Sequence, residues 1–100
     1  MYTEQELIGK LTPIFRRYPI KRAALFGSYA RGEQTDKSDI DVLLEFNENA
    51  DVVRVFYVFW DDLEELMQMK VDIITQGSLE TAPNGFRERI LNELRYIYEV

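Results

Sequence analysis

Three short apolar runs, AALF at residues 23–26, IDVLLEF at Ile40–Phe46 and VDIIT at Val71–Thr75, have the length and composition of buried strands, and the stretches around them carry apolar residues at helical spacing. Ahead of the first run, Thr3 and Glu6 have the pattern of a capping box, and Leu7, Ile8, Leu11, Ile14, Phe15 and Tyr18 recur at helical spacing, which predicts a helix over residues 4–18. Pro13 is expected to kink or break that helix, because its ring opposes the carbonyl of Gly9, and Pro19 ends it. The segment VVRVFYVFWDDLEELMQ is rich in strand-favouring residues. On a helical wheel, however, Val52, Val55, Phe56, Phe59, Trp60, Leu63, Leu66 and Met67 gather on one side, opposite Arg54, Asp61, Glu64, Glu65 and Gln68. Two-residue alternation gives no polar face there, so a helix is expected. Residues 77–85 read as a loop, and residues 86–98 as a last helix with Phe86, Ile90, Leu94 and Ile97 on one face. Strands alternating with helices in this way predict an α+β chain of α/β-type alternation, a sheet with helices packed on it. One hundred residues hold one such domain, residues 1–100.

Composition narrows the chemistry. Cysteine and histidine are both absent, so disulfides and thiolate or imidazole metal sites are excluded, and any metal must be a hard, oxygen-preferring ion. The N-terminal stretch has no basic leader followed by an apolar core, and no apolar run is long enough to span a bilayer, so a cytoplasmic protein with no membrane association is expected. The net charge of −6 argues against stable nucleic-acid binding. That charge is uneven: six of the 12 basic residues lie between Arg16 and Lys37, against only Glu33 and Asp36. A small polyanion is thereby favoured near the Gly27-Ser28 turn.

Gly27 and Ser28 follow the first strand directly, where glycine lets a backbone approach a ligand and exposes amides to phosphate. Gly27 and Gly32 fit the first half of a P-loop, but Glu33-Gln34 stands where Lys-Ser/Thr is required, and no G-x-G-x-x-G occurs. Asp39 and Asp41, two residues apart at the head of the second strand, share a face. Asp72 is alone in its apolar run; it faces water at an edge or, if the strands are neighbours, joins Asp39 and Asp41. Three carboxylates beside bound phosphates would suit Mg²⁺, and two such ions about 3.5–4 Å apart can serve an in-line displacement.

Gly27-Ser28, ten residues, Asp39-Ile40-Asp41 and then Asp72 form a spacing that resembles the nucleotidyltransferase superfamily, which includes DNA polymerase β. Within it, GSYARG, SDIDVLL and the closing RERILNELRYIYE are similar to the minimal nucleotidyltransferase (MNT) antitoxins of HEPN/MNT toxin-antitoxin systems, and the likeness covers nearly the whole chain. The resemblance implies a mixed sheet of polymerase β palm type. It implies that Gly27 and Ser28 hold the triphosphate of ATP, that Asp39 and Asp41 ligate Mg²⁺, and that Asp72 completes the metal site and draws the proton from the attacking hydroxyl. Arg31 either offsets phosphate charge or forms a structural ion pair. By the same resemblance the partner is a HEPN-type RNase toxin, AMP passes to a toxin tyrosine, and pyrophosphate is released. Two other readings compete: an antitoxin that neutralises by binding alone, and nucleotidyl transfer to a small molecule or an RNA end. Tyr57, Val58, Met69 and Tyr96 lie off the apolar stripes and are candidates for contact with a toxin or with a second copy of the chain as a homodimer.

Overall fold

The computed structural model describes residues 1–48 and 50–100. Its elements are α1 (Glu4–Arg17), β1 (Ile20–Phe26), α2 (Gly27–Arg31), β2 (Ile40–Phe46), α3 (Val52–Met67), β3 (Val71–Thr75), α4 (Gln76–Glu80), α5 (Asn84–Glu93) and β4 (Arg95–Glu99). The four strands form one mixed sheet in the order β3-β2-β1-β4. Pairing is antiparallel between β1 and β2 and between β1 and β4, and parallel between β2 and β3, which α3 connects by crossing over one face.

Alternation along the strands splits the side chains into two layers. Ile20, Ala23, Leu25, Ile40, Val42, Leu44 and Val71 pack with Leu7, Leu11, Ile14 and Phe15 of α1 and Phe59, Leu63 and Met67 of α3. On the opposite face, among the described residues, Ala24, Phe26 and Leu43 are covered by Leu79 of α4 and Ile90 of α5, with Ile74 and Leu94 at the margin. That thinner layer leaves one end of the sheet open, and the acidic residues are there. The helical reading of the α3 segment holds: Asp51 caps it by accepting from Arg54 N, and Phe59 and Leu63 are fully buried. Tyr57 and Val58 are exposed, as expected, whereas Met69 is half-buried and packs against the main core. Leu66, expected on the apolar side, is exposed as well.

Several expectations are corrected. Helix α1 runs through Pro13 without a break: its capping box at Thr3 and Glu6 is formed, and its buried residues Leu7, Leu11, Ile14 and Phe15 straddle the proline. Tertiary packing of that stripe outweighs the single lost backbone bond. β1 begins at Ile20, three residues earlier than its apolar run suggests. The stretch read as a loop over residues 77–85 holds most of α4, capped by the Thr75 side chain on Ser78 N, and the start of α5. The last helix stops at Glu93, and RYIYE forms β4. β1 is buried on both faces, so the backbone N–H and C=O groups along both of its edges need partner strands. β4 supplies the second one, pairing Ala23 with Tyr98 and Ala24 with Tyr96 around a bulge, while the Tyr98 ring packs tilted against Phe15 with centroids 5.4 Å apart. Tyr96 is exposed, but on this strand rather than on a helix. Phe86 and Leu91 of α5 are exposed too.

β3 is an edge strand, and α3 satisfies the backbone groups of its first residue that β2 leaves unpaired. Trp60 Nε1 donates to Val71 O at 2.6 Å, and Glu64 Oε2 accepts from Val71 N at 3.0 Å. Trp60→Phe is expected to lower stability by about 1–2 kcal/mol through that orphaned carbonyl and the lost ring volume. An unchanged urea midpoint would contradict the assignment. Among the described residues no helix is long and apolar enough to cross a membrane.

Candidate active site

The register assembles the site. Phe26 pairs with Asp41, and Asp41 pairs with Asp72, so the end of β1 and the beginnings of β2 and β3 meet at one end of the sheet. Since Ile40 and Val42 point into the main core, Asp41 stands on the opposite, thinly covered face, and Asp39 precedes it by one pleat. Ile40 N donates to Lys70 O at 3.2 Å, which fixes the start of the parallel pair beside the acidic residues.

Gly27 turns the chain out of β1 with φ 72 and begins α2. Two constraints require glycine there. The left-handed conformation disfavours any L side chain, and a Cβ would run into Asp41 Oδ2 and stand 3.2 Å from Asp41 Cγ. The backbone of the turn therefore touches the carboxylate directly. Tyr29 anchors α2 in the main core, and Gly32, with φ 71, closes it. A cleft of about 360 Å³ opens between these parts, lined by Phe26, Gly27, Ser28, Arg31, Asp41, Arg89, Ile90 and Glu93.

The carboxylates repel one another. Asp41 is half-buried, and its pKa is pushed from 3.8 up to about 6, first by burial, then by the charges of Asp72 and Asp39, by a hydrogen bond with Asp72 and by Glu93. Lys70 offers partial relief: its Nζ lies 3.7 Å from both Asp39 Oδ2 and Asp72 Oδ1. All three side chains are substantially exposed, so these pairs contribute little to stability. As arranged, among the described residues no three carboxylates close on a single ion-sized point. The donor set nevertheless fits a hard divalent cation, being all oxygen and carrying an electrostatic strain that a cation would relieve.

The six candidate nucleotide- and metal-site residues of the sequence, Gly27, Ser28, Arg31, Asp39, Asp41 and Asp72, lie at this end of the sheet. Gly27, Ser28, Arg31 and Asp41 line the cleft, Asp72 is beside Asp41, and Asp39 joins Asp72 through Lys70. Arg31 adopts the ion-pair alternative while still lining the cleft: its Nη1 donates to Glu93 Oε1 at 2.8 Å, and Nε is 3.4 Å from Glu33. Lys70, Arg89 and Glu93 were missed. Lys70 is two residues before Asp72 and so shares its face, a spacing that could have revealed it. Arg89 and Glu93 are four apart on α5, and only the packing of that helix on the sheet shows that both border the cleft.

A small α+β domain with an acidic cleft at the end of a mixed sheet, bounded by a glycine turn, has the layout of a nucleotidyl-transferring fold. The chain belongs to the nucleotidyltransferase domain family, whose model matches residues 8–97. A Methanocaldococcus jannaschii protein, MJ0435, provisionally named a protein adenylyltransferase, is 43% identical over 91 residues, covering 88% of this chain and 90% of its own length. The protein adenylyltransferase MntA of Thermococcus cleftensis is 31% identical over 101 residues, covering 97% and 98%. Among solved structures, a toxin-antitoxin crystal structure with AMP-PNP superposes with a TM-score of 0.71 at 20% identity, over 93% of this chain and 73% of that one. A tri-AMPylated Shewanella oneidensis HEPN toxin in complex with MNT antitoxin gives 0.67 at 16% identity, over 98% and 74%. These two likenesses bear on the fold.

Proposed function

We propose that the chain is a divalent-cation-dependent protein adenylyltransferase that moves AMP from ATP to a hydroxyl, a tyrosine of a HEPN-type toxin, and thereby acts as an antitoxin. The observation that carries this reading is the register placing Asp41 beside Asp72 and directly against the Gly27 turn. The names of the relatives from Methanocaldococcus jannaschii and Thermococcus cleftensis support the reaction class.

In this reading Gly27, Ser28 and Arg31 hold the triphosphate, and Asp39, Asp41 and Asp72 would hold Mg²⁺. Two such ions, when bound, would stabilise charge on the attacking and leaving oxygens. Asp72 accepts the proton of the acceptor hydroxyl, whose oxygen forms a bond to the α-phosphorus. The bond from that phosphorus to the bridging oxygen breaks, and pyrophosphate leaves.

The test is incubation with Mg²⁺, a HEPN-type toxin and ATP labelled at the α- or the γ-phosphate. Label from the α-position alone should appear on the toxin. Absence of transfer, together with neutralisation of the toxin by Asp39→Asn/Asp41→Asn, would replace the enzymatic reading with one of binding alone.

A further inference from the structure

The carboxylate of Glu93 joins the two anion-facing parts of the cleft. Its Oε2 accepts from Gly27 N at 3.0 Å, and its Oε1 accepts from Arg31 Nη1 at 2.8 Å. Both oxygens are thus engaged, and the side chain is only 16% exposed, against 42% for Arg31 and 64% for Glu33, the other carboxylate near Arg31. The backbone beneath Glu93 is fixed from both directions. One turn earlier, Ile90 is buried under the sheet, and two residues later Arg95 begins β4, which is bonded to β1.

We infer that Glu93 is a positioning residue for nucleotide binding: it sets the Gly27 peptide and orients the Arg31 guanidinium so that its remaining N–H groups serve phosphate. A guanidinium has five N–H donors, and the contacts to Glu93 and Glu33 engage Nη1 and Nε, leaving the Nη2 edge available. Without Glu93, a half-exposed arginine would sample many rotamers, and the ordering would have to occur on binding. This inference rests on the proposed assignment of Arg31 and Gly27 to the triphosphate.

Glu93→Ala should weaken binding of a non-hydrolysable ATP analogue about tenfold by calorimetry in the presence of Mg²⁺, and raise KM for ATP by a similar factor with kcat changed less than about threefold. Glu93→Gln, which keeps an acceptor but loses the charge, should fall between Ala and wild type. Because Glu93 acts in part through Arg31, its loss should weaken binding less in the Arg31→Ala background than in the wild type. Additive losses, unchanged binding by Glu93→Ala, or tighter binding by Glu93→Gln would overturn the inference, the last by showing a carboxylate that competes with phosphate. Failure of the unsubstituted chain to bind the analogue would instead overturn the functional reading beneath it. Melting curves for each variant separate loss of binding from loss of fold, and Glu93→Gln keeps the test alive if the alanine variant fails to fold.

Discussion

Asp41→Asn is expected to raise the melting temperature of the metal-free protein by roughly 5 °C at pH 7.5 while lowering nucleotidyl transfer on the order of a thousandfold. The stabilisation follows from the direction of the Asp41 shift. Its folded pKa is about 6, above the ordinary 3.8, so the fold disfavours the charged form. The favourable contribution is present in full below 3.8 and is lost as the pH rises through about 6. A shift of that size would correspond to roughly 3 kcal/mol, but the carboxylate is half-exposed and solvent screens it, so a penalty on the order of 1–2 kcal/mol is expected above pH 6. Asparagine keeps the shape and removes the charge. Melts in EDTA across pH 4–8 should show the wild type losing stability between about pH 4 and 6 relative to the variant. Added Mg²⁺ should then stabilise the wild type more than the variant. A variant that melts lower than the wild type at pH 7.5 would refute the account.

Gly27→Ala is the second large effect. The left-handed backbone costs about 1–2 kcal/mol for an L residue. The added methyl also displaces the Asp41 carboxylate, which should reduce transfer at least about a hundredfold. Gly32→Ala is the matched control. It has nearly the same positive φ but nothing within 4 Å of the added Cβ, so it should lose comparable stability with activity largely kept. Equal losses of activity in the two variants would show that contact with Asp41 is not what matters at Gly27.

Much of this arrangement was legible in the sequence because its causes are local. The capping box, the α3 wheel and the paired aspartates of β2 each follow from spacings of two to four residues. What escaped depends on distant partners. β4 was hidden because Leu94 and Ile97 also continue the helical spacing of α5, and only the unpaired side of β1 decides between the two conformations. Glu93 and Arg89 were invisible as site residues for the same reason, since nothing near them in the chain announces that α5 lies beside Gly27. Arg31 was open between two roles, and its pairing with Glu93 accommodates both, a guanidinium held on one side and available on the other.

The middle position of β1 also governs the order of events during synthesis. One of its neighbours is made soon after it, but the other, residues 95–99, emerges some seventy residues later, and Val100 N closes on Lys21 O. A nascent chain therefore carries an apolar strand with one naked side until residues 95–99 have left the ribosome, and until then that side is open to self-pairing.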